Sequence, residues 1–156
     1  MTAASAKITN RQTSYKLEKR KTIKAPVDVV YAAWTETEQM HQWFGCAQCG
    51  KVKIKQDFRV GGQYRVDMIL DNAMIVTVVG EFLEIKTNKR LVYTWSNNFP
   101  DFPARDTVVN VEFIDLGDKG TEIVLTHLNF DTQESRDSHS TGWEFSLNKF
   151  EYACAK

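Results

Sequence analysis

The strongest constraint on this fold is a lone amphipathic helix at the end of a chain otherwise patterned as strands. His139, Trp143, Leu147, Phe150 and Cys154 recur at three- and four-residue spacing, so they share one stripe of a helix running through Gly142–Phe150. That single helix has a whole sheet to cover. A bulky helix laid in a curved antiparallel sheet leaves space beneath it, and that space is where a ligand would sit.

The strands show as a period of two. Tyr64, Val66, Met68 and Leu70 alternate with Gln63, Arg65 and Asp67, and a turn at Asp71-Asn72 leads into Met74, Val76, Val78 and Phe82. Lys86–Arg90 makes the next turn, after which Leu91, Tyr93 and Trp95 share a face. A loop with Pro100 and Pro103 precedes Val109, Val111 and Phe113, and Asp115–Gly120 closes a hairpin onto Thr121–Phe130.

Upstream, Lys16–Lys24 is extended but highly charged, which predicts an edge strand. Pro26, with its preset φ, is expected in the first turn of a short helix carrying Val27, Val30, Tyr31 and Trp34. Thr35-Glu-Thr-Glu38 reads as a capping box that starts a second short helix, ended by Gly45 after Met40, Trp43 and Phe44. The order is strand, two small helices, a run of antiparallel strands and a long helix. It predicts an α+β fold in which a curved antiparallel sheet grips the C-terminal helix. Residues 1–15 are expected to form a flexible N-terminal arm and 16–156 one domain. Lys7 and Arg11 without acidic neighbours loosely resemble a targeting leader, but the low apolar moment favours a frayed arm.

With 156 residues and 42% apolar content, the chain is sized for one domain with a real core. Twenty Lys and Arg balance twenty Asp and Glu, so no global field recruits nucleic acid or an anionic membrane. The longest apolar runs, such as Ala73–Val76, are too short for a membrane span, and a cytoplasmic protein is expected. Three cysteines are an odd number and argue against an extracellular disulfide framework, so reduced thiols are expected.

Ile23-Lys-Ala-Pro26, Trp43-Phe44-Gly45, Gly61-Gly62, Gly80-Glu81-Phe82, Arg90–Trp95, Gly120-Thr121, Leu125-Thr126-His127 and Gly142-Trp143 form an ordered set. Together they resemble the SRPBCC superfamily over roughly residues 17–155, and within it the branch of the activator of the ninety-kilodalton heat-shock protein ATPase, C-terminal-domain type. The resemblance implies the helix-grip fold shared with START-like lipid carriers, pollen-allergen-like proteins and polyketide cyclases. It also implies that Trp43, Tyr64, Tyr93, Trp95, Phe113 and Trp143 converge around one cavity. With Met68, Val78, Val111, His127 and Leu147 they make the candidate ligand-binding set. The alternative is that these aromatics simply fill the core.

The remaining motifs carry less chemistry. Cys46-Ala-Gln-Cys49 with His41 and Cys154 has ligand-type spacing but is half a zinc site, so no metal and no cofactor are expected. Gly61-Gly62 fits neither phosphate-loop pattern and reads as a turn or bulge entering the sheet. His127 and His139 suit a cavity wall as acid or base, although a structurally satisfied histidine is more common. Asp67, Glu81 and Arg65 share a face whose orientation alternation does not define.

The functional reading is a non-enzymatic module for a small apolar or lipid-like ligand. The alternative is a co-chaperone-like activator of a heat-shock chaperone ATPase with a stress-response role. A third option is a polyketide cyclase or aromatase using His127, Asp67 or Tyr93. Phe145 and Tyr152 lie about 180–200° around the last helix from Trp143 and read as a homodimer or partner surface. The competing reading is that the Asn97–Arg105 region folds over them.

Overall fold

The computed structural model of the chain describes residues 14–45 and 49–155. The elements run β1 (Tyr15–Ile23), α1 (Val27–Thr35), α2 (Thr37–Met40), β2 (Cys49–Gln56), β3 (Gln63–Leu70), β4 (Ile75–Lys86), β5 (Arg90–Asn97), β6 (Ala104–Asp115), a 3-10 turn at Gly117–Lys119, β7 (Thr121–Phe130) and α3 (Gln133–Cys154). Seven antiparallel strands form one curved, open sheet in the order β1-β7-β6-β5-β4-β3-β2. This is the α+β helix-grip architecture expected from the pattern. Most of the expected N-terminal arm lies outside the described residues, and Tyr15, its last residue, already belongs to β1, pairing with Phe130.

Charge makes β1 an edge. Only Leu17 and Ile23 of the strand are buried, while Lys19 reaches Glu144 at 2.9 Å and Lys21 reaches Asn148 at 2.8 Å and Glu151 at 3.3 Å on α3. Exposed pairs of this kind are worth under about 1 kcal/mol each, so they align the helix along the edge and do little to hold it.

The two short helices depart in detail from the sequence signals. Pro26 sits at the N-cap, with ψ 152°, and not in the first turn. The capping box does not form. Thr35 Oγ1 donates instead to the carbonyl of Tyr31 at 2.9 Å, the back-bond available to a hydroxyl still inside a helix, and Glu36 in extended conformation breaks the two helices apart. α2 stops at Met40, and a turn carries the chain through Trp43 and Phe44 to Gly45 at φ +127°.

Inside, Trp34 of α1 is the hub that joins the layers. Its ring lies 4.6 Å from Trp43, 5.1 Å from Phe150 and 6.1 Å from both Trp143 and Phe113. Gly80 lets the sheet accept a second aromatic group, because a Cβ there would lie 2.0 Å from the carbonyl oxygen of Thr94 and 2.6 Å from the Tyr64 ring. Tyr64 therefore crosses the bare backbone of β4 and donates its hydroxyl to the Thr94 carbonyl.

On α3, Thr132 caps the first turn by accepting from Ser135 N at 3.1 Å. The buried face comprises Ser135, Trp143, Ser146, Leu147, Phe150 and Cys154, which is the expected stripe with two serines added and with His139 only half-buried. Trp143→Ala is expected to cost about 3–5 kcal/mol, as large-to-small changes at buried aromatics do, and Lys149→Ala less than about 1 kcal/mol. Urea unfolding of the two variants checks this, and equal midpoints would refute the helix phase.

Candidate functional site

A β-bulge prepares the wall of the site. Trp95 pairs with Thr107 and Asn97 with Ala104, so β6 carries one extra residue, supplied by Asp106 at φ 52°, whose N–H donates to Ser96 Oγ at 2.8 Å. The bulge turns both Ala104 and Thr107 inward. Beyond it, the loop between β5 and β6 folds over the N-terminal half of α3. Thr77 N donates to Asn98 Oδ1 at 2.8 Å, Phe99 N donates to Asn97 Oδ1 at 3.1 Å, and Ser135 Oγ donates to the Pro103 carbonyl at 2.9 Å.

Beneath this strap lies a cleft of about 110 Å³. Phe44, Trp95, Phe99, Phe102 and Trp143 supply its aromatic surface, with Met68 and Val76 on the sheet. Asn97, Ser138, His139 and Ser146 supply the polar part, and Gly142 borders it from α3. No charged side chain lines it among the described residues.

Behind the cleft runs a buried hydrogen-bond chain. The indole N–H of Trp143 donates to His127 Nδ1 at 3.0 Å. An indole only donates, so Nδ1 is unprotonated and the proton sits on Nε2, which donates to Thr107 Oγ1 at 2.8 Å. Thr107 in turn donates to the Trp95 carbonyl at 2.6 Å. Burial and the neighbouring His139 push the His127 pKa well below the ordinary histidine value, so the ring stays neutral.

His139 is neutral in the other tautomer. Its Nδ1–H donates to the Ser135 carbonyl at 2.8 Å, and its Nε2 accepts from Asn97 Nδ2 at 2.7 Å. Burial lowers its pKa, and the bond to Ser135 opposes this in part.

The candidate residues divide into three groups. Met68, Trp95 and Trp143 line the cleft, and His127 stands one bond behind it. Tyr64, Tyr93 and Trp43 surround a separate void of about 20 Å³, too small for a ligand. Val78, Val111, Phe113 and Leu147 are buried in the core. Trp43 is spent on packing, its indole N–H donating to the Ala33 carbonyl at 2.8 Å. Burial pushes the hydroxyls of Tyr64 and Tyr93 above the ordinary tyrosine range.

Sequence reasoning did not place Phe44, Val76, Asn97, Phe99, Phe102 or Ser146 at the site. Two phenylalanines in a proline-containing loop were the available signal for the strap.

Other candidates are dispersed. His127, Asp67 and Tyr93 do not meet: Asp67 accepts from Thr77 and Arg65 on the outer face of the sheet. The Asn97–Arg105 loop does not cover Phe145 and Tyr152, which are 38% and 70% exposed, with Lys149 Nζ 5.3 Å from the Phe145 ring centre.

Cys46 lies outside the described residues. Cys49 is disulfide-bonded, contrary to the expected reduced state, and a sulfur engaged in a disulfide is not a thiolate donor for metal. Cys154 is free and buried, which raises its pKa to about 11. No group of three or more metal-ligating side chains occurs among the described residues, and none of their helices is long and apolar enough to cross a membrane.

The family described as Activator of Hsp90 ATPase homolog 1-like protein matches residues 24–154, which include every residue around the cleft. The chain belongs to this family. Solved structures with the same fold include a protein of Chromobacterium violaceum, 18% identical with TM-score 0.78 over 90% of this chain and 97% of that one. A Rhizobium leguminosarum protein is 22% identical with TM-score 0.77, over 91% and 95% of the two chains. The AHSA1 protein of Silicibacter pomeroyi is 18% identical with TM-score 0.76, over 90% and 98%. No curated protein matches the chain.

This AHSA1-like domain buries two neutral histidines that the unfolded chain would protonate below about pH 6.5. The unfolded state then binds more protons, so stability is full above that value and falls as pH drops through it toward the lower folded pKa values. Denaturant melts between pH 8 and 5 should show stability falling toward acid pH, and a shallower fall in His139→Gln. A flat profile over that range would overturn the neutral assignments.

Proposed function

We propose that this AHSA1-like protein is a non-enzymatic binding module that holds a small apolar ligand in the cleft between the strap, the sheet and α3. The observation carrying this reading is the aromatic lining. Phe44, Trp95, the Phe99–Phe102 pair and Trp143 come from four separate segments and leave a largely apolar, uncharged space between them. Both ring nitrogens of each nearby histidine are engaged, which favours binding over proton transfer.

The cleft is smaller than the roughly 300–1,000 Å³ of pockets for drug-sized ligands. Its occupant is accordingly a compact molecule, and a longer lipid-like one would enter only with the strap displaced.

Family membership favours a second reading, stimulation of a heat-shock chaperone ATPase, and a chaperone ATPase assay with this protein added tests it directly.

Gly142 provides the test of the first reading. A Cβ there would meet no atom within 4 Å, so Gly142→Leu puts a side chain into open space at the cleft without a backbone clash. Toluene is expected to raise the melting temperature of the wild type and quench its tryptophan emission, since a ligand bound only to the folded state stabilises it. The leucine variant should fold and lose both responses. Toluene without effect on the wild type, or with equal effect on the variant, would refute the cleft as a binding site.

A further inference from the structure

The strap over the cleft is held through side chains alone. Residues 98–103 form no backbone-to-backbone hydrogen bond among the described residues, and of the six only Phe99 and Phe102 are half-buried, the others being exposed. Three bonds pin it: Thr77 N–H to Asn98 Oδ1, Phe99 N–H to Asn97 Oδ1, and Ser135 Oγ to the Pro103 carbonyl. A segment with so few anchors belongs to the part of a fold that opens locally.

The middle pin depends on a histidine. Because Asn97 Oδ1 takes the Phe99 N–H, its amide presents Nδ2 to His139 Nε2 at 2.7 Å, and that nitrogen accepts only while it is unprotonated. Burial keeps the ring neutral near pH 7. A proton on Nε2 would set donor against donor. Turning the ring brings no relief, because both nitrogens of an imidazolium donate and Nδ1 already holds the Ser135 carbonyl at 2.8 Å. Turning the Asn97 amide does bring relief. It offers Oδ1 to the imidazolium, and the same rotation leaves the Phe99 N–H facing an NH2 group.

Neighbouring charges do not hold this arrangement. His139 is surrounded by His127 and Phe130 of β7, with ring centres 5.5 and 4.9 Å away, and by Trp95 of β5 at 6.2 Å. His127 is the titratable group among them and is itself neutral. On α3, Arg136 pairs with Asp137, and on the strap Asp101 is exposed. Arg105 and Asp131 border a separate groove that Asn97 also lines, whereas the causes that shift His139 are burial and the Ser135 bond.

We propose that His139 is a proton-operated latch for the strap: protonation turns the Asn97 amide, releases the Phe99 N–H, and loosens Phe99–Phe102 between the two remaining pins so that the cleft opens. As a control of ligand entry this rests on the cleft being a binding site, but the latch itself is read without a ligand.

Amide hydrogen exchange followed by NMR tests it, with Leu125 of β7 as the reference for global opening. In the wild type the protection factor of Phe99 should fall about tenfold relative to that of Leu125 between pH 7.5 and 5, of the order of one lost hydrogen bond. Asn97→Asp should abolish that fall, because a carboxylate accepts from the Phe99 N–H and the imidazolium at once, and should raise the His139 pKa. A packing role for Asn97 would leave this variant as pH-sensitive as the wild type. His139→Gln, which does not titrate, should also give a flat ratio. Phe99 protection that follows Leu125 at every pH, or that falls as far in His139→Gln, would overturn the latch. Toluene should enter the wild type faster at pH 5 than at pH 7.5, and Asn97→Asp at one rate. Equal wild-type rates beside a responding Phe99 would overturn the opening of the cleft and keep the latch. No toluene binding at either pH would remove the ligand role, with the exchange data still deciding the latch.

Discussion

The hydrogen bond from Trp143 to His127 fixes how the helix meets the sheet. Through Thr107 it continues to the carbonyl of Trp95, so one buried chain links α3 to β7, β6 and β5. Apolar packing alone tolerates small rotations and slides of a helix over a sheet. A buried donor does not, because losing its acceptor costs about 1–3 kcal/mol. The chain also explains the neutral state of His127. A proton on Nδ1 would face the indole N–H, and burial already disfavours the charge.

With the helix phase fixed at Trp143, the division of the interior follows. Toward the C-terminus of α3, Phe150 meets Trp34 and Trp43, Leu147 is buried in the same core, and the space fills with side chains. Toward its N-terminus the positions bordering the cleft are Ser138, His139, Gly142 and Ser146, all small except His139, whose ring is tied to Asn97 of β5. The gap they leave is covered from the other side by Phe99 and Phe102, whose rings lie 6.4 Å apart on the strap. The cleft is therefore a consequence of where the large residues of α3 stop.

The fold was legible because it depends on periodicity. Alternation through Tyr64–Leu70 and Leu91–Trp95, the charged β1 and the stripe on α3 each report one local geometry, and the shared hairpin order does the rest. The site was less legible, since it depends on which of many aromatics are left without apolar neighbours on one side. Trp43, Trp95 and Trp143 look alike in sequence. Only the tertiary structure separates Trp43, enclosed by Trp34, Phe44 and Phe150, from the other two. The strap was similarly hidden, because a loop has no period and the bonds that pin it come from Thr77 and Ser135, far away in the chain. The capping box at Thr35 misled for a related reason: the hydroxyl had a nearer acceptor one turn back.

Gly142 shows how the structure holds its space open. A glycine inside a helix costs about 0.5–1 kcal/mol relative to alanine, and such a residue usually has a packing or conformational reason. Here neither applies. Its φ is not among the positive values that demand glycine, and a Cβ would touch nothing within 4 Å. Close approach of another backbone is excluded by the same emptiness. The position instead borders the cleft between His139 and Trp143. A larger apolar side chain at this border position would gain burial at about 25 cal/mol per Å² of apolar surface that it covers in the cleft. The chain forgoes both the helix propensity and that burial at a single site. At a position bordering the cleft, this is the pattern expected where a fold keeps room for something other than itself.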